Sequence, residues 1–380
     1  MRTLNLWPQK DRFLVINISK DGTPGVLFDL DSKKNLGLKK FWKQFSWPMI
    51  SRVLGKNSGR KKIIASVDFS LARTLLFPIG LIRDETVIND PISRTELENS
   101  IAQEMARVFN QYRRQASREL GEDELHTILV DSKVGNFSID GHRVINPEGF
   151  RAKNIGAVLE LTYTTREVFD QWKNFFSAGE NIEFFFTESD RSKLISLKKI
   201  SSLPLNIISF RRNKSHCFSF KSLDGREEIV KNKIKWSPYQ FIKIIESNLV
   251  VGEENASEIY WRYLSGRLSK NMEKFLGKLF KPSALAVSLE IKNLKLVGST
   301  FIDSSLPVFP KFAYYFKKIK PITGLSLASE LGFRVNFRDS TYPQEEFFGH
   351  LAPFIEFYYN REELPINRWL RRRIHWLGSS

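Results

Sequence analysis

Apolar and polar positions repeat along this chain at two periods, and each period predicts a different kind of element. Over "PISRTELENSIAQEMARVFNQYRRQASRELG", Leu97, Ile101, Met105, Val108 and Tyr112 recur at steps of three and four, the spacing of one buried stripe on a helix. Ser93 and Glu96 stand three apart just ahead of that stripe, a capping-box pair that predicts where the helix begins. Strand-like runs surround it. "RFLVINISKDGTPGVLFDL" (12–30) reads as two strands about a Gly/Pro turn, and "KKIIASVDFS" (61–70) as another. "LHTILVDSKVGNFSIDG" and "AVLELTYTTR" follow, with "IDG" supplying a hairpin turn.

A helix at "TREVFDQWKNFF" is read as closing a small α+β module over residues 74–176. Beyond it, "IEFFFTES", "LNIISFRR", "HCFSFKSLDG" and "EEIVKNK" are strand-like. Helices are predicted from about 237 to 282, and "ALAVSLEIKNLKLVGST" then reads as a buried strand. Near the start, "GLKKFWKQFSWPMISRVLGKNSGRKK" reads as a short helix running into a loop.

Composition narrows the class. A chain of 380 residues, 42% hydrophobic and 27% charged, has room for more than one packed core and is neither disordered nor membrane-integral in type. No apolar run approaches ~18 residues, and the N-terminus lacks the apolar region of an export signal. Cys217 is alone and the five histidines lack zinc-like spacing, which points to a reducing cytosol. The net charge of +17 draws the surface toward polyanions: nucleic acids, anionic lipid or acidic proteins. Walker A, G-x-S-x-G and G-x-G-x-x-G motifs are all missing.

One segment is specific enough to suggest a family. "SIDGHRVINPEGFRAKNIGAVLELTYTTREVFD" carries an Asp-Gly turn (Asp140, Gly141), then Asn146, Pro147, Gly149 and Lys153 before a strand. This resembles the inserted domain of the bacterial actin-like FtsA/PilM group. "RFLVINIS" resembles that group's first phosphate-binding hairpin, "LNIISFRRNKSHCFSF" its second, and "LKLVGSTFIDSSLP" its adenosine loop. The resemblance implies an α/β, actin-like fold of the duplicated ribonuclease-H type with a small inserted α+β domain. The expected divisions are 1–73, the inserted 74–176, a second half with its return over 177–340, and a C-terminal segment over 341–380.

The departures bear on activity. In actin-like ATPases an Asp near the end of each hairpin's first strand positions magnesium, and neighbouring glycines admit phosphate. Here those places hold Asn17-Ile18-Ser19-Lys20 and Asn206-Ile207-Ile208-Ser209-Phe210, and the bulk of Ile208 and Phe210 is expected to crowd a phosphate. Asn17, Ser19, Lys20, Gly298, Ser299 and Thr300 are the weak candidates for whatever contact with ATP survives. No cofactor, no metal and no efficient hydrolysis are expected, so the chain reads as a pseudo-ATPase.

The tail "INRWLRRRIHWLGS" supplies a second candidate site. At about 100° per residue, Ile366, Trp369, Leu370, Ile374, Trp376 and Leu377 share one face while Arg368, Arg371 and Arg372 lie opposite, with Arg373 among the apolar positions. Such a helix suits an anionic inner-membrane surface, and FtsA-type proteins end in one, so the resemblance implies a peripheral cytoplasmic scaffold for a division assembly, able to self-associate into filaments. A tail helix packed on the protein itself stays open, as does a PilM-type adaptor of pilus assembly that grips a membrane partner's cytoplasmic tail. Nucleic-acid binding through "KKFWKQFSW" (39–47) is a third class, without a supporting motif.

Overall fold

The computed structural model describes residues 11–46, 61–176, 182–211, 213–223, 226–304, 319–339, 342–360 and 364–377. Strands β1 (Asp11–Ile18), β2 (Gly25–Leu30) and β3 (Asn35–Trp42) form an antiparallel ribbon, and β4 (Lys61–Val67) lies parallel to β1. Both faces of β1 are covered over residues 13–16, so that run is apolar without alternation. Phe13 and Val15 face one core while Leu14 and Ile16 face another.

The chain then leaves to build the inserted module. Strands β5 (Ala72–Ile82), β6 (Thr127–Ile139), β7 (His142–Arg143) and β8 (Asn154–Thr165) make a sheet in the order β5-β8-β6-β7, and α1 (Arg94–Leu120) lays Leu97, Ile101, Met105 and Val108 on it. The Ser93–Glu96 capping box forms at its start, with Gly121 in the left-handed C-cap. Asp140 and Gly141 both take positive φ, 47° and 87°, as the two-residue hairpin turn demands.

Helix α2 (Arg166–Phe176) returns the chain, and it departs from the expected boundary. Val168 and Trp172 pack on Leu14, Ile16 and Ile63, so α2 covers the outer face of the first sheet and the inserted module closes with β8. β9 (Ile182–Glu188) pairs parallel with β4, and α3 (Ser189–Leu197) follows.

A second copy of the arrangement comes next. β10 (Leu205–Phe210), β11 (Ser215–Leu223) and β12 (Arg226–Ile234) form an antiparallel ribbon. Three helices then pack on its outer face: α4 (Tyr239–Leu249), α5 (Glu253–Leu264) and α6 (Lys270–Asn293). β13 (Ser299–Ser304) and β14 (Ile319–Pro321) add in parallel, giving the order β12-β11-β10-β13-β14. The first sheet reads β3-β2-β1-β4-β9 in the same direction, the same topology built twice. After α7 (Gly324–Glu330), β15 (Arg334–Phe337) returns to the free edge of β3.

Helix α8 (Phe347–Tyr359) lies between the two sheets with α3. Phe347, Phe348, Leu351, Phe354 and Ile355 are all buried, and such all-round apolarity belongs to a helix enclosed on every side. Phe354 meets the Phe13 ring edge-on at 5.0 Å. Each such ring contributes roughly 1.5–3 kcal/mol of burial, so α8 is the hydrophobic axis joining the halves. The tail helix α9 (Pro365–Leu377) follows.

Two expectations are overturned here. Residues 39–42 of the basic aromatic stretch belong to strand β3 rather than a helix, with Phe45 buried against Trp42, while 47–60 lie outside the described residues. Residues 284–293 are the last turns of α6, not a strand. Its ring lies on the exposed side, so Pro282 does not end the helix, and Leu276, Phe280, Ala284, Val287 and Ile291 carry one buried row through it.

Candidate functional site

Duplicated parallel strands leave a crevice outside their carboxyl ends, where open α/β sheets place ligands. The ends of β4, β9, β10 and β13 meet there. Asp68 follows β4, Asp190 sits in the first turn of α3, Asp303 is near the end of β13, and Arg211 opens the turn after β10. Lys193, one turn along α3, places its ammonium 3.0 Å from Asp190 Oδ1 and 2.7 Å from Asp303 Oδ2. Arg211 comes within 3.8 Å of Asp190 and Asp303 and 4.0 Å of Asp68. Ser209 Oγ donates to Asp190 Oδ1 at 2.8 Å. Through Arg211 the second half reaches a carboxylate of the first.

Burial opposes the charge on Asp190, yet Lys193 and Arg211 outweigh it and hold its carboxyl down to about 2. Burial likewise works against the Arg211 cation, and Asp303, Asp190 and Asp68 together keep its pKa above the ordinary value. Three carboxylates thus face two cations, one fewer than would balance them. Beside it, Phe69 crosses from the first half to stack edge-on with His216 at 4.4 Å, and Lys231 lies 4.7 Å over the same ring. Burial, then Lys231, pushes His216 down to about 4, so at neutral pH it is an uncharged packing partner. Cys217 is buried and its thiol is pushed up to about 12, which leaves it a poor nucleophile.

The fold is the actin-like one. No family model matches the chain, and no curated protein sequence does. Among solved structures, it is similar to one described as a PilM–PilN type IV pilus biogenesis complex, at 11% identity over 96% of this chain and 99% of that one, TM-score 0.42. It is similar to the ethanolamine utilization protein EutJ of Carboxydothermus hydrogenoformans, at 8% identity over 93% and 91%, TM-score 0.37. A Bacteroides thetaiotaomicron protein with actin-like ATPase fold and unknown function gives 10% identity over 82% and 90%, TM-score 0.32.

The sequence resemblance to actin-like ATPases implies a magnesium nucleotide in this crevice, and the residues present do not fit one. The three carboxylates that could face magnesium already face Lys193 and Arg211, and among the described residues no His/Cys/Asp/Glu group is arranged for a metal. Asn17 has its amide against Gly349 of α8, with Oδ1 buried and without a hydrogen-bond partner. Ser19 bridges to Gly22 through both backbone bonds and its hydroxyl, making a tight turn with Lys20 exposed.

The other three nucleotide candidates lie elsewhere. Gly298, Ser299 and Thr300 precede or begin β13, at the opposite end of the strands from Arg211. Position 298 demands glycine twice over, since its φ is 86° and a Cβ would collide with the Pro204 carbonyl. Ser299 pairs with Ser201, and Thr300 accepts from Asn206. The bulk attributed to Ile208 and Phe210 also points away: both face the helix layer, because successive side chains alternate and Ser209 takes the cleft side. What fills the cleft is Arg211.

The tail is docked. Ile366 and Leu370 are buried in the inserted module's core, with Trp369 half-buried beside them. Asn367 pairs with the backbone of Val134 in both directions, accepting at 2.7 Å and donating at 3.1 Å. Arg371 Nε meets Asp131 Oδ1 at 2.9 Å. The first two turns of α9 thus pack on the protein itself, and Ile366 and Leu370 do not face outward as the membrane reading expects. Arg368 is exposed, and Arg373 stacks 4.4 Å over Trp369. The side chains of Arg372, Ile374, Trp376 and Leu377 lie outside the described residues. No helix among the described residues is long and apolar enough to cross a membrane.

Proposed function

We propose that this chain is a non-catalytic actin-like scaffold, an adaptor that binds other proteins at the cytoplasmic face of the inner membrane and does not turn over nucleotide. The observation that carries this reading is the Asp68–Asp190–Lys193–Arg211–Asp303 cluster, whose own cations occupy the carboxylates of the cleft. Breaking such a pair to admit a ligand leaves buried charge uncompensated, at a cost of about 3–5 kcal/mol. Titration calorimetry with magnesium ATP, run beside a phosphate-release assay, tests it. The expected result is neither saturable heat nor turnover; magnesium-dependent turnover that is lost in Asp190→Asn would sink the proposal.

Within that class, the pilus-type adaptor is favoured over the division tether. A cavity of about 580 Å³ opens between the inserted module, the first sheet and the tail, lined by Lys133, Glu160, Phe185, Arg191, Tyr359 and Arg368 among others. Its mixed charged and aromatic walls suit an extended peptide from a membrane partner. Photo-crosslinking from Ile145, at the same cavity, should capture such a segment in bacterial cells, and failure to capture a membrane protein counts against this role. Tethering through α9 rests on the exposed Arg368 and Arg373. It requires Ile366 and Leu370 to leave the inserted module, losing roughly 3–6 kcal/mol of burial.

A further inference from the structure

Helix α6 has two apolar faces where a surface helix needs one. Its inner row joins the core of the second half. On the opposite side Phe275, Leu285 and Leu289 are 42%, 44% and 60% exposed, accompanied by Pro282 and Ala286. At about 100° per residue these five fall in one strip along the helix. Lys270, Lys274, Lys281 and Lys292 fall along one edge of that strip, and Lys278 just within it.

No fully exposed residue of α6 is acidic. Glu273 and Glu290 lie toward the protein, where Glu290 accepts from the Lys235 backbone N–H at 2.6 Å. None of the five lysines forms an ion pair with another described residue. The helix runs 24 residues, about 36 Å at 1.5 Å per residue.

We infer that the outer face of α6 is a docking surface for an anionic lipid bilayer, independent of the tail. The apolar strip fits the boundary between headgroups and acyl chains, and the lysine row beside it meets lipid phosphates. The lysine stems can lie along the same strip while their ammonium groups reach water and phosphate. A rigid helix already folded on its own core loses no folding entropy when it binds, unlike an isolated peptide that must first become helical. This surface does not depend on what the cleft or the 580 Å³ cavity binds.

The test is co-sedimentation of the full chain with vesicles of phosphatidylcholine alone or mixed with phosphatidylglycerol, across a salt series. Binding is expected only with the anionic lipid, weakening as salt rises. Lys274→Gln/Lys278→Gln/Lys281→Gln should weaken partitioning more than tenfold, at about fivefold per lysine. Leu285→Ser/Leu289→Ser should weaken it severalfold while the thermal midpoint stays in place, since neither side chain is in the core. Arg368→Gln/Arg373→Gln in the tail should leave it unchanged. Absence of binding by the native chain, equal binding by the α6 variants, or loss confined to the tail variant would each overturn the inference. So would concentration-dependent dimerisation abolished by Leu285→Ser/Leu289→Ser without vesicle binding, since the strip would then meet a second copy.

Discussion

Helices α9 and α6 are both basic and both apolar on one side, yet the fold uses them in opposite ways. In the first two turns of α9 the apolar residues are spent inward: Ile366 and Leu370 join the inserted module's core, and Asn367 and Arg371 tie the helix to β6. α6 buries one apolar row and still presents Phe275, Leu285 and Leu289 outward beside lysines that form no ion pair with another described residue. Helical periodicity says that a helix has an apolar side, not what that side meets. Tail position and tryptophan content single out α9 as the membrane candidate, whereas among the described side chains it is α6 that presents an exposed apolar strip.

Four substitutions would break or sharpen this contrast. Leu370→Ala should cost about 2–5 kcal/mol in urea unfolding, because a fully buried side chain leaves a cavity between α9 and β6; a cost near zero would mean that the tail is undocked in solution. Asn367→Ala should cost about 1–3 kcal/mol, since it strands the Val134 N–H and C=O together, and hydrogen exchange at Val134 should speed up.

Arg371→Ala should cost about 1 kcal/mol at neutral pH, because Arg371 is partly exposed and Lys133 still faces Asp131 at 3.0 Å. Burial opposes the Asp131 charge, but Lys133 and Arg371 hold its pKa below the ordinary 3.8. Its contribution is therefore present above that value and lost as pH falls through the lower folded pKa. Removing Arg371 should move acid unfolding to higher pH, and an unmoved acid limb would show that this pair does not matter. Leu289→Ala, the matched truncation on α6, should change stability by no more than about 0.5 kcal/mol. A larger loss would place Leu289 in a contact that the monomer does not contain.

Much of the frame was legible in the residues. The stripe from Leu97 to Tyr112, the Ser93–Glu96 box and the Asp140–Gly141 turn each rest on local chemistry, and each is present in the fold. Loss of the hairpin carboxylates was equally plain at Asn17 and Asn206. The cleft cluster was not. Asp190 and Lys193 share one turn of α3, but Asp68, Arg211 and Asp303 come from elements far apart in sequence, and no local spacing marks the five as a set. One signal did exist: "VDFS" and "IDSS" place an Asp at the carboxyl end of β4 and of β13, corresponding strands of the two halves.

Local patterning thus decided which segments become helix or strand, because dihedral preference, capping and side-chain period act over a few residues. It misjudged 284–293 because Leu285, Val287, Leu289 and Ile291 alternate like a strand, while on the helix Val287 and Ile291 fall on the buried row and Leu285 and Leu289 on the opposite face. Partner choice lay beyond it. Which face Ser209 turns to, which carboxylates Arg211 meets and whether Leu370 or Leu289 is covered depend on elements far apart in sequence. Apolar area and opposite charge attract without direction along the chain, so such choices exist only once the two sheets, α3 and α8 have closed around one another.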